Sequence, residues 1–125
     1  MKVSMKNITT MFFFEAKKSG RLDLLVGDRK RFGYEIKVNK LCYGHILEAV
    51  DQAEGYRVDM KIDEMWMVNF VPNGHKMDQL RYPLQKYPQV NVAHIFHNPT
   101  CNEFTINYLN DGEEQTISLR SSEKY

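Results

Sequence analysis

GRLDLLVGDRKRFGYEIKV, residues 20–38, is the stretch that decides the fold. Arg21–Gly27 and Phe32–Val38 are rich in aliphatic and aromatic residues and flank the polar segment Asp28–Arg31, so they predict two strands joined by a turn. Side chains alternate along a strand, which puts Leu22, Leu24 and Val26 on one face and Asp23 on the other. Tyr34, Ile36 and Val38 likewise share a face, with Glu35 and Lys37 opposite. A turn that pairs Gly27 with Arg31 sets Asp23 directly across from Glu35, β-carbons about 4.5–5.5 Å apart. Two carboxylates then stand side by side, with an amine one pleat along.

Outward from this hairpin, Met11–Ala16 predicts a short strand ended by Lys17-Lys18-Ser19-Gly20. From Tyr43 to about Tyr56 the period changes: Tyr43, Ile46, Leu47, Val50 and Ala53 recur at helical spacing, and His45, Glu48, Asp51, Gln52 and Glu54 fill much of the opposite side. Gly55 marks the expected helix end. Glu64–Val71 is a near-continuous apolar run stopped by Pro72-Asn73-Gly74, the pattern of a strand buried on both faces. The polar stretch 73–89, with Pro83 and Pro88, reads as a connection. Val90–Phe96 predicts another strand, and Phe104–Leu109 with Gln115–Leu119 a closing hairpin around Asn110-Asp111-Gly112. Three strands, a helix, a buried strand and further strands define a mixed α/β domain with a central mixed sheet.

The 125 residues fit one domain, 1–125, and leave little room for a second core. Charged residues at 26% and a mean hydropathy of −0.53 describe a water-soluble chain. No stretch approaches bilayer length, which predicts no membrane partner. The N-terminus has only a four-residue apolar run, too short for a signal-peptide core. Cys42 and Cys101 are too few for a disulfide framework, so a reducing compartment, cytoplasm or nucleus, is expected. The net charge of +1 hides an asymmetry: residues 1–40 carry ten Lys or Arg against four acids, and residues 41–80 three against seven. Positive charge therefore gathers around the hairpin.

Opposed carboxylates repel, and a hard divalent cation offsets that. Magnesium takes one or two carboxylates and keeps several waters. Beside such an ion, Lys37 can orient or deprotonate a water for attack on a phosphodiester. The same spacing also fits a solvated strand face on which Lys37 simply bridges two acids.

Asp23…Glu35-Ile36-Lys37, followed by a helix carrying Gln52 and then the strand around Trp66-Met67-Val68, resembles the PD-(D/E)xK restriction-endonuclease-like superfamily. GRLDLLVGDRKRFGYEIKV, the helix, DEMWMVNFV, VNVAHIFHN and the closing hairpin are more narrowly similar to the C-terminal domain of fungal Crinkler effectors. The resemblance implies a restriction-endonuclease-like core, Mg2+ or Mn2+, and DNA as ligand. It makes Asp23 and Glu35 metal ligands, with the Ile36 carbonyl a third. Lys37 becomes the catalytic lysine, and Gln52 a helix residue added to the site. It further implies a secreted effector that works in a host nucleus. Two departures stand out: Leu22 precedes the Asp where many members have Pro, and the superfamily's first helix has little room before Phe12, so Glu15 is not assigned its acidic role. A chain that begins almost at its first strand points to a domain taken from a longer protein.

Lys17, Lys18, Arg21, Arg29, Lys30 and Arg31 flank the hairpin and are the expected phosphate contacts, although turn charges are more commonly just solvated. His94 and His97, with Cys101 four residues on, invite a zinc reading. Residues three apart on a strand face opposite ways, so the pair is expected not to converge. Trp66, Met65 and Met67 read as core. Three functions follow: a divalent-dependent nuclease, an inactive module of the same fold that only binds DNA, and a homotypic interaction domain whose late hairpin offers strand edges to a second copy or another protein.

Overall fold

Seven strands lie side by side in chain order, with one helix among the described residues. The computed structural model describes residues 12–16, 20–27, 29–83, 86–110 and 112–121. The strands are β1 (Phe12–Ala16), β2 (Gly20–Val26), β3 (Phe32–Val38), β4 (Glu64–Pro72), β5 (Val90–His97), β6 (Glu103–Asn110) and β7 (Glu113–Arg120). The helix α1 (Tyr43–Asp59) joins β3 to β4. β1, β2 and β3 form an antiparallel meander, β3, β4 and β5 are parallel, and β6 and β7 return antiparallel. The sheet is therefore mixed and the fold mixed α/β, as the order of periodicities predicts. None of the described helices is long and apolar enough to cross a membrane.

Parallel neighbours need crossovers. The first is α1. The second runs through residues 73–89, whose described residues are non-helical, and its Met77, Tyr82 and Tyr87 pack on the same core as α1. Ile46, Ala49, Val50, Ala53 and Tyr56 of α1 meet Met65 and Met67 of β4, Val90 and Val92 of β5, and Leu22 and Leu25 of β2. At about 25 cal/mol per Å2 of apolar surface, this burial is the main force holding helix to sheet.

The buried helical stripe differs from the expected one: Tyr43 is exposed, Leu47 is half-buried, and Ala49 and Tyr56 are buried instead. The helix also runs through Gly55. Stopping there would leave Tyr56 off the core. It ends with Ile62 N–H donating to the Arg57 carbonyl and Lys61 N–H to that of Val58. Lys61 takes the left-handed turn (φ 52) usually given to glycine. β4 is not buried on both faces. Met65, Met67, Asn69 and Val71 face the helix side and are fully buried, while Trp66, Val68 and Phe70 on the other side are half-buried.

β2 departs from simple alternation for a specific reason. Phe12 pairs with Leu25 and Phe14 with Leu22, so Asp23 and Leu24 together face one residue of β1. This is a β-bulge, which re-aims side chains. Leu22 and Leu25, three apart, consequently both enter the core, and Leu24 and Val26 are left half-buried. Asp23 sits on the bulge.

Candidate functional site

The ladder between β2 and β3 matches Leu24 with Tyr34, Leu25 with Gly33 and Val26 with Phe32. This is the register that puts Asp23 across from Glu35. Beyond Leu24 the side chain takes over: Asp23 Oδ2 accepts the Ile36 N–H at 2.7 Å. The bulge thus turns a strand residue into a carboxylate clamped against the neighbouring backbone.

Glu35 faces the helix side and is 3% exposed, and its Oε2 has no hydrogen-bond partner. Burial, a hydrogen bond with the Asp23 side chain and the Asp23 charge push its carboxyl up from an ordinary 4.5 to about 8, while Lys37 pulls the other way. At neutral pH Glu35 is mostly the protonated partner of an acid–carboxylate pair. A buried oxygen without a partner is costly, and its cost falls if a cation or donor reaches it.

One pleat further, Lys37 Nζ donates to Gln52 Oε1 at 2.5 Å. The Gln52 amide is oriented from behind, because its Nε2 donates to the buried Tyr56 hydroxyl at 3.2 Å. Asp23, Glu35, Ile36, Lys37 and Gln52 are therefore brought together from two strands and a helix, as the sequence reading requires. The backbone of Lys40 is held by Asn69, whose Oδ1 accepts Lys40 N–H at 3.1 Å and whose Nδ2 donates to the Lys40 carbonyl at 2.7 Å. A shallow depression at this end of the sheet is lined by Lys37, Lys40, His45, Glu48, Ala49 and Gln52. Lys40, His45 and Glu48 belong to no motif in the sequence. The signal was the helical spacing of 45, 48 and 52, which shares a face with Gln52.

The basic turn is elsewhere. Arg31 N–H donates to Asp63 Oδ2 at 2.7 Å, and its carbonyl accepts Asp63 and Glu64 N–H. The Lys30 ammonium lies 5.3 Å from the Phe32 ring centroid. Four residue steps along β3 then take Arg31 to Glu35 and six take it to Lys37, about 13 Å and about 20 Å at 3.3 Å per residue. Arg29, Lys30 and Arg31 thus stand at the opposite end of β3 from Lys37. Lys17 and Lys18 lie outside the described residues, as does the side chain of Arg21.

His94 and His97 point to opposite faces. His94 is fully buried: Asn69 Nδ2 donates to its Nδ1 at 3.1 Å, and its Nε2–H donates to the Arg81 carbonyl at 2.9 Å. The Lys40 bonds fix the Asn69 amide, and that fixes the neutral His94 tautomer. His97 Nδ1 is 3.6 Å from Cys101 Sγ on the other side. Among the described residues no group of three or more His, Cys, Asp or Glu side chains is placed to hold a metal ion. What remains is the pair Asp23 and Glu35, oxygen donors of the kind that hard divalent cations take. No family model, curated protein or solved structure matches this chain.

Proposed function

We propose that this chain is a restriction-endonuclease-like module of effector type that binds DNA and hydrolyses phosphodiesters with a divalent cation. One observation carries the reading: a buried carboxyl with an unpartnered oxygen, Glu35, lies against a second carboxylate, Asp23, one pleat from an oriented lysine. Asp23 and Glu35 are the residues that would hold Mg2+ or Mn2+, with the Ile36 carbonyl as a third donor. Bound there, the ion would neutralise phosphate charge and make a coordinated water more acidic.

The chain's own residues do the rest. Ile36 N–H holds the Asp23 carboxylate in place, and Glu35 must give up its proton before it can act as an anionic ligand. Gln52 keeps the Lys37 ammonium facing the depression, where it orients the attacking water or a phosphate oxygen. Lys40 adds positive charge at the rim. The Crinkler resemblance extends the reading to a host nucleus or cytoplasm as the place of action.

The test is plasmid cleavage with and without Mg2+ or Mn2+, beside calorimetric titration of the ions. Cleavage that needs the cation and is lost in both Asp23→Ala and Glu35→Ala, with folding intact, is the expected result. If both variants cut like the parent, the site is wrongly assigned. DNA binding with a steep salt dependence but no ion uptake would make the chain an inactive module of the same fold.

A further inference from the structure

The two outer strands of the sheet are protected differently. β1 is five residues long and bulged against β2, both of which discourage pairing with another chain. β7 runs eight residues in unbroken register with β6, from Glu103 opposite Arg120 to Asn110 opposite Glu113, and contains neither proline nor lysine. Its residues are almost all exposed.

The hydrogen-bond phase of this strand is fixed. Ser121 N–H donates to the Asn102 carbonyl at 2.8 Å in the same register. Antiparallel ladders alternate between bonded and non-bonded pairs, so odd-numbered residues turn their N–H and C=O toward β6. Glu114, Thr116, Ser118 and Arg120 turn theirs to the open edge, where no described strand meets them.

We propose that β7 pairs antiparallel with β7 of a second copy about a two-fold axis through Ile117, making one continuous sheet. An axis normal to the sheet keeps equivalent faces together, so each residue meets one of the same parity. Centred on Ile117, this register sets Glu114 opposite Arg120 of the second copy, and the symmetry repeats the pair. Thr116 then meets Ser118, Gln115 meets Leu119, and the even-numbered edge groups form about eight main-chain hydrogen bonds. Centring on Thr116 instead would put Glu114 opposite Ser118 and leave Arg120 beyond the last pair with no acid across from it. The charges therefore select the register, while main-chain bonding supplies the cohesion.

The side chains suit this partner. The Arg120 side chain is 71% exposed and uses Nε on Glu103 Oε1 at 3.3 Å, leaving other guanidinium N–H groups for Glu114 of the second copy. Ile117 and Leu119 are 43% and 51% exposed. They share the face opposite the helix with Phe104 and Ile106. Ile117 would meet its own copy in a non-hydrogen-bonded pair, where side chains approach most closely.

The experiment is sedimentation velocity of the full chain from low micromolar to near-millimolar concentration, with reductant because Cys42 and Cys101 are both exposed. The parent should dimerise. Ser118→Pro, which removes an outward N–H and no hydrogen bond to β6, should raise the dissociation constant at least about tenfold while keeping the parental circular dichroism and melting temperature. Glu114→Arg and Arg120→Glu should each weaken the dimer by about the same factor, and the double reversal should restore it. A parent that stays monomeric throughout overturns the proposal. So does a dimer that survives Ser118→Pro and both single reversals, or a double reversal that stays as weak as the singles.

Discussion

Asp23 Oδ2 lies 2.7 Å from the Ile36 nitrogen, so one carboxylate oxygen locks the bulge of β2 to the strand that carries Glu35 and Lys37. The bond also fixes how close the two carboxyls stand. Their proximity, more than the identity of either residue, gives this corner of the sheet its chemistry.

Glu35 titrates in a window that stability measurements can reach. Its carboxyl rises from 4.5 to about 8 on folding, so between those values the folded chain holds a proton that the unfolded chain has lost. The stability it contributes is whole below pH 4.5 and is lost as pH rises through about 8. Between pH 6.5 and 8 the parent should therefore lose stability relative to Glu35→Gln, at a slope of up to about 1.4 kcal/mol per pH unit. Urea melts across that range measure it. Adding Mg2+ near pH 8 should stabilise the parent and leave Glu35→Gln unmoved.

Gly27 is the residue on which the hairpin register turns. It has φ of +111, and a β-carbon there would lie 2.0 Å from the Lys30 carbonyl oxygen, a backbone atom with no room to retreat. Gly27→Ala should cost about 2–3 kcal/mol in thermal or urea unfolding. Because this turn sets Asp23 opposite Glu35, the variant should also flatten the pH dependence that the carboxyl pair produces. A stable variant with the parental pH profile would show that the turn does not control the pair.

The order of strands and helix was legible because periodicity reports which faces are buried, and the hairpin register followed from turn length. The bulge was not legible. Leu22 and Leu24 alternate correctly on paper, and only the pairing with β1 reveals that Leu25 replaces Leu24 in the core. The end of α1 was missed because Lys61 occupies a left-handed position where glycine was expected. The carboxylates and lysine could be found because neighbouring strands bring them together.

Asn69 and His94 form the buried polar link beneath Lys40. Removing the amide strands the Lys40 N–H and carbonyl as well as His94 Nδ1. Asn69→Leu should cost about 3 kcal/mol for those lost partners. Burial holds the His94 imidazole below its ordinary 6.5, so below that pH the unfolded chain takes up a proton that the folded chain refuses. Its contribution is present above pH 6.5 and falls as the solution becomes more acidic, opposite in sign to that of Glu35. Replacing His94 by Gln should remove the acid-side decline; a decline identical to the parent's would place its origin elsewhere.

Lys37 and Gln52 separate chemistry from positioning. If Lys37 orients the attacking water, Lys37→Met should lower DNA cleavage about hundredfold or more while leaving divalent uptake at Asp23 and Glu35 unchanged. Gln52 acts through Lys37, so its loss should be milder. Gln52→Leu frees the ammonium to wander and should lower kcat about tenfold with little change in KM. Gln52→Glu keeps an acceptor 2.5 Å from Nζ in the parental geometry and should recover most of that loss. Single-turnover cleavage and calorimetric ion titration on the same preparations distinguish the cases. Parental cleavage by Lys37→Met would remove the lysine from the reaction. Equal losses in Gln52→Leu and Gln52→Glu would mean that the amide, and not its hold on Lys37, is what the site requires.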